Sequence, residues 1–260
     1  MDNPSNFYIE KLKVYRDIFK EFSEIKTRIN SAIAADTQIS QRQIPGELST
    51  PLSIDEKNLL KIANGFADDE PEKLGYLFEL DTMLSSFRDY LISQYGMFGY
   101  VSQSYAKNLA DYIQTQNVIE IMAGNGYLSA GIYAYAKDIN ILATDNFNWE
   151  NQGVNPNPVF PVENKEAIRT LEQNLKIEIP ATVIMSWAPD TTTADLLVLE
   201  YLRHSGFFST QGNQFIVIGE KNGATNSRQF WKKANLSEIR EVSNHIQHFD
   251  LIDDRAYSVK

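Results

Sequence analysis

Two glycines one residue apart, Gly124 and Gly126, directly follow the β-rich run Val118-Ile119-Glu120-Ile121-Met122 and precede a helix-forming stretch that begins near Tyr127. A strand, a glycine turn and a helix start in immediate succession make a cradle for a nucleotide-type ligand. Glycine lets the backbone approach closely or take positive φ, and the free amides of the first helical turn point at whatever lies there. A second strand, Ile139 to Thr144, ends in Asp145, about 20 residues beyond the glycines, where a carboxylate can grip ribose hydroxyls. Glu120 and Asp145 both fall at carboxyl ends of expected parallel strands; the plain alternative for each is a strand-end or surface acid.

The elements that must position these residues are legible from periodicity. From Asn117 onward the short runs VIEIM, INILAT, ATVIMSW and FIVIGE alternate with segments of helical length, which predicts a mainly parallel α/β sheet. Pro161 to Asn164, with a helix from Lys165 to Asn174, supplies a short third strand, and His245 to Lys260 reads as an antiparallel hairpin. The first hundred residues are all helical in pattern. Apolar residues at three- and four-residue steps predict one long amphipathic helix over 7–35, and Thr37 to Ser53 is a polar linker with two prolines and a glycine. Ser53 and Glu56 have capping-box spacing for a helix to Asn64, stopped by Gly65. A further helix runs from Pro71 to Tyr95, and Ser102 caps a short one through Tyr112. The expected division is a helical region over 1–103 and an α/β domain over 104–260.

With the strand-one acid, the glycine turn and the strand-two acid in place, the sequence resembles the class I, Rossmann-like S-adenosylmethionine-dependent methyltransferases, whose first motif is an acid followed by a GxGxG-like turn. Glu120 matches the acid, Gly124 and Gly126 match the second and third glycines, and Met122 stands where the first is usual. The resemblance covers roughly residues 100 to 260. It implies a Rossmann-like, mainly parallel sheet with antiparallel sixth and seventh strands, and S-adenosylmethionine as cofactor. Glu120 is then expected to organise the methionyl end, the backbone of Ala123, Gly124, Asn125 and Gly126 to line the cofactor, Asp145 to bind the ribose, and Glu163 to lie on the adenine side. Ser186 and Trp187, at the end of the fourth strand, lie over the reaction centre. Tyr100, in the lid-like loop before the first motif, Trp187 and Glu220 are the residues expected to meet substrate. Each has a plain alternative: linker, core aromatic and helix-capping acid. Ser186-Trp187-Ala188-Pro189 does not fit the Asn/Asp/Ser-Pro-Pro-aromatic signature of some amino-group methyltransferases, so nitrogen is not inferred as acceptor. Methyl transfer is an in-line displacement in which alignment and water exclusion suffice, so no acid or base is assigned.

Composition narrows the partners. The excess of 34 acidic over 24 basic residues gives a formal charge of -10, which repels a phosphate backbone. A small molecule is therefore the leading acceptor class, protein second and nucleic acid third. The absence of cysteine excludes disulfides and thiolate chemistry. Of the three histidines, His245 and His248 lie in a stretch read as strand, where the two face opposite sides, so no metal site is expected. No HExxH, Walker or GxSxG signature is present. With no basic-then-apolar leader and no long apolar run, a cytoplasmic protein without membrane association is expected. The helical region has three open roles: substrate capture, assembly of a homo-oligomer and support of a lid. Two other readings stay open. The run Gly124 to Ser129 is one small residue from GxGxxG, which would suit an NAD(P)-dependent oxidoreductase, and a methyltransferase-like protein without catalysis would serve as a binding module.

Overall fold

The computed structural model describes residues 4–66, 72–148, 154–176 and 179–260. The chain divides into two compact units. One comprises the residues up to Tyr95 together with Gln247–Leu251, and the other Gly96–Ile246 with Ile252–Lys260.

The first unit is helical: α1 (Pro4–Ile18), α2 (Ser23–Ser40), α3 (Glu56–Ala63), α4 (Glu72–Ser85) and α5 (Phe87–Tyr95). The single helix expected over 7–35 is two helices. A continuous one would run about 45 Å and carry its apolar stripe away from any partner. Instead the chain breaks at Phe19, which is fully buried with its ring against Phe22 and Phe66. The stripe of α1 (Ile9, Leu12, Tyr15) and that of α2 (Ile25, Ile29, Ala32, Ile39) are thereby both buried. Asp55 rather than Ser53 caps α3, its Oδ1 accepting the Asn58 N–H at 2.9 Å, because Ile54 is buried and donates its own N–H to Asp81. The helix start expected at Pro71 lies outside the described residues. The remainder is interrupted at Ser86, whose hydroxyl donates back to the Met83 carbonyl.

Residues 247–251 are strapped to this unit by several interactions. Leu52 N–H donates to Phe249 O at 3.0 Å, and Leu48 N–H to the Gln247 side chain at 3.0 Å. Arg88 forks onto both carboxylate oxygens of Asp250 while lying over the Phe249 ring, 5.0 Å from its centroid.

The second unit opens with α6 (Gln103–Tyr112), capped by Ser102 as its sequence foretells, the hydroxyl accepting the Tyr105 N–H at 3.3 Å. There follow β1 (Asn117–Ile121), α7 (Tyr127–Tyr135), β2 (Asn140–Asp145), β3 (Val162–Asn164), α8 (Ala167–Asn174), β4 (Thr182–Ser186), α9 (Ala194–His204), β5 (Gln214–Glu220), α10 (Arg228–Lys233), β6 (Leu236–Glu238), α11 (Arg240–Ser243) and β7 (Asp254–Val259). The strands form one sheet in the order β3-β2-β1-β4-β5-β7-β6. All neighbours are parallel except β7, which runs antiparallel to β5 and β6. A mainly parallel α/β sheet ending in an antiparallel pair is the class I methyltransferase fold that the resemblance implies. The partner of β7 is not within 245–252 but earlier, at Leu236–Glu238, because 247–251 is committed to the helical unit. The chain reverses direction across the sheet between β1 and β4, and such a switch point leaves a crevice at the carboxyl ends of the strands. Among the described residues no helix is long and apolar enough to cross a membrane.

Phe249 is almost fully buried and packs edge-on to Phe87. Phe249→Ala is expected to lower stability by about 3–5 kcal/mol, read by urea denaturation; a loss below about 1 kcal/mol would show that the strap contributes little.

Candidate functional site

The turn after β1 is unusually contorted. Met122 (φ 56), Gly124 (φ 57) and Gly126 (φ 75) all occupy the left-handed region. The first of these is where the resemblance expects glycine, so the local geometry is kept and methionine is forced into it, at a cost of about 1–2 kcal/mol. The Met122 side chain recovers some of this by packing on the sheet core. Gly126 cannot be replaced so easily, since a Cβ there would stand 2.9 Å from Val162 Cγ2 and 3.0 Å from Phe160 Cβ.

Asp145, at the end of β2, fixes this turn. Its Oδ2 accepts the Gly124 N–H at 2.8 Å and its Oδ1 the Phe147 N–H at 2.7 Å. One residue earlier, Thr144 O accepts the Ala123 N–H at 3.0 Å. Asn125, almost fully buried, faces the other way: its side-chain oxygen takes the Asn157 N–H and its carbonyl the Val159 N–H. Ala123 and Gly124 are half-buried. Immediately beyond Asp145 lies a recess of about 390 Å³ lined by Asn146, Asn164, Lys165, Glu166, Arg169 and Gln173. Glu163 is exposed and pairs with Lys165 at 2.8 Å.

Glu120 is placed differently. It is fully buried in the central strand and accepts hydrogen bonds from Ser129 Oγ on α7 and, at 3.2 Å, from Ser186 Oγ at the end of β4. Burial pushes its carboxyl up to about 7, against the opposing pull of the two serines, and the charge of Asp145 adds to the rise. The carboxyl thus pins β1, α7 and β4 together from inside. Ser186, which the sequence singles out, belongs to this pin; Ser129 carries no sequence signal beyond its place on the helix after the turn.

At the next strand end, Trp187 has φ 48 and donates its N–H to Ile218 O at 2.8 Å. Gly99 lies against the indole so closely that any Cβ would overlap Cε2, and Tyr105 meets the ring edge-on. Tyr100 is buried in the same 96–102 segment. Glu220 lies at the end of β5 with its oxygens taking the Ala224 N–H (2.7 Å) and the Asp253 N–H (3.1 Å), which ties the loop after β5 to the approach to β7. The structure therefore bonds Glu120 to Ser186 and Gly124 to Asp145. It leaves Glu163 and Glu220 each within its own local network. Asn226, in the loop after β5, has no forewarning in the sequence except that asparagine tolerates its φ of 58. Among the described residues no group of three His, Asp or Glu side chains could hold a metal ion.

No protein-family model matches the sequence, and neither does any curated protein. Similar solved structures include human N-acetylserotonin methyltransferase in complex with SAM (TM-score 0.39, 11% identity, 91% of this chain and 69% of that one). An O-methyltransferase family protein from Burkholderia thailandensis gives a TM-score of 0.37 at 10% identity, over 72% of this chain and 62% of that one. The neocarzinostatin-biosynthesis O-methyltransferase NcsB1 gives 0.35 at 13%, over 90% and 70%. This chain thus spans less than two thirds of the Burkholderia protein, and the assignment of the fold rests on strand order and direction.

The Glu120 carboxyl keeps its proton to about pH 7 when folded and to about 4.5 when unfolded. The native state therefore binds more protons between these values. The contribution of Glu120 to stability is full below pH 4.5 and is lost as pH rises to about 7. Replacing it by the uncharged isostere, Glu120→Gln, should remove that slope: the wild-type minus variant stability is expected to fall by about 3 kcal/mol across the window, measured by denaturation at a series of pH values. Parallel profiles would mean that folding does not push the Glu120 carboxyl up.

Proposed function

We propose that this chain is an S-adenosylmethionine-dependent methyltransferase acting on a small-molecule acceptor. The observation that carries the reading is the bond between the Gly124 N–H and the Asp145 carboxylate, which brings the glycine turn of β1 and the acid of β2 to one point on the carboxyl edge of a class I sheet. The groups suit that cofactor: a half-buried glycine turn, and beside it a carboxylate that already orders two backbone amides. The recess beginning at Asn146 extends the same edge on the side expected for the adenine.

When bound, S-adenosylmethionine supplies a sulfonium-activated methyl group. The chain's own residues would bind and align. Asp145 would accept from ribose hydroxyls, and Ala123 and Gly124 would present backbone to the cofactor. Glu120 holds the turn from within without facing the ligand. Trp187, at the end of β4, walls the reaction centre with Gly99 closed over it, which excludes water. The net charge of -10 favours a small molecule over nucleic acid. The oxidoreductase reading is disfavoured by the antiparallel β7 inserted beside β5, which an ordinary dinucleotide fold does not call for.

Calorimetric titration of S-adenosylmethionine and its demethylated product tests the reading. Asp145→Asn is the better control, since alanine would also orphan the Gly124 and Phe147 amides. Micromolar binding weakened about tenfold or more in the variant is expected. No binding of either ligand would leave a methyltransferase-like binding module, and a preference for NADH would favour the oxidoreductase.

A further inference from the structure

The ends of β4 and β5 hold polar atoms that the protein does not satisfy. Trp187 Nε1, the Tyr105 hydroxyl and both amide atoms of Asn226 are buried with no hydrogen-bond partner among the described residues. An unpaired buried donor or acceptor has lost its hydration without replacement, and native chains keep few of them. Trp187 and Asn226 also have left-handed backbones, and strain of this kind collects where a side chain must be held for a ligand.

These residues share one neighbourhood. Trp187 donates its backbone N–H to Ile218 O (2.8 Å), and Asn226 its backbone N–H to Ala188 O (2.7 Å), next to the bridge between Pro189 and Thr225. Asn226 Oδ1 lies over Gly219, 3.4 Å from where a Cβ would stand. The Tyr105 ring meets Trp187 edge-on with centroids 6.5 Å apart. Gly99 covers the indole at Cε2, the atom bonded to Nε1, so the 96–102 segment is what has to lift for a ligand to reach this donor.

We infer that this cluster recognises the methyl acceptor, and that Asn226 selects a neutral compound carrying a carbonyl beside an N–H or hydroxyl, as in a carboxamide or lactam. The inference rests on the methyltransferase reading. The ligand carbonyl takes the Trp187 and Asn226 N–H donors, and the ligand donor meets Asn226 Oδ1. An anion is disfavoured, because burial and then the charge of Asp254 push the Tyr105 hydroxyl up, and that same charge repels a carboxylate. The sequence singles out Trp187 but not Asn226, whose unpaired state depends on loops brought together from two strand ends.

The test uses the ¹⁵N-labelled full chain, with the Trp187 indole N–H resonance identified by its loss in Trp187→Phe, titrated separately with benzamide and benzoate. Benzamide is expected to move the resonance and benzoate to leave it. Asn226→Gly, which suits the left-handed backbone, should weaken benzamide about tenfold or more with the Tm unchanged or raised. Asn226→Asp, isosteric but lacking the donors, should do the same to benzamide. An equal response to benzoate, an undiminished benzamide response in both variants, no response at all, or a Tm drop in Asn226→Gly that marks a structural side chain would each overturn the inference. S-adenosylmethionine binding, measured on the same sample, keeps the two readings apart: intact cofactor binding with a silent Trp187 removes the acceptor inference alone.

Discussion

The carboxylate of Asp145 is the constraint on which the carboxyl edge of the sheet depends. Three residues of the β1 turn lie in the left-handed region, one of them a methionine, and inside the turn the Gly126 N–H donates to Ala123 O at 2.9 Å. Asp145 accepts backbone amides from both its own loop and the turn. Hydrogen bonds to a charged acceptor are worth about 1.5–3 kcal/mol each, so the pair outweighs the roughly 1–2 kcal/mol of strain at Met122. The departure from glycine at 122 is therefore tolerated by the clamp beside it, and the shape of the turn survives the change of residue.

Glu120 applies the opposite solution to a similar problem. It too is a buried acid near the end of a parallel strand, but desolvation favours its protonated form and two serine hydroxyls donate to it. Asp145, itself buried, takes the backbone amides of the turn and of its own loop; Glu120 joins β1, α7 and β4 so that the turn is carried on a fixed base. Their separate environments, rather than their similar positions in sequence, set these roles.

Much of the sheet was legible because β4 and the middle of β5 are buried on both faces and read as continuous Val/Ile-rich runs. The Asp145 position was legible because the strand-turn-helix-strand spacing is imposed by the fold itself. The break between α1 and α2 was not, since Phe19 and Phe22 keep the apolar spacing through the turn and the pattern alone cannot show that the chain doubles back. β6 has three residues, two of them exposed, and gives almost no periodic signal. Nor could the sequence show that 247–251 is anchored by Arg88, 162 residues away from Asp250, or that the oxygens of Glu220 are taken by amides four and 33 residues on. In each case the partner is distant in sequence, and local pattern carries no information about it.

The central claim is that the turn held by Asp145 is the cofactor site, and backbone amide spectra of the ¹⁵N-labelled chain during titration with S-adenosylhomocysteine test it most directly. The account predicts that the amides of Ala123, Gly124 and Asn146 move first and furthest, while those of β6 stay in place. Saturable shifts confined to other parts of the chain, with the Gly124 amide unmoved, would contradict it.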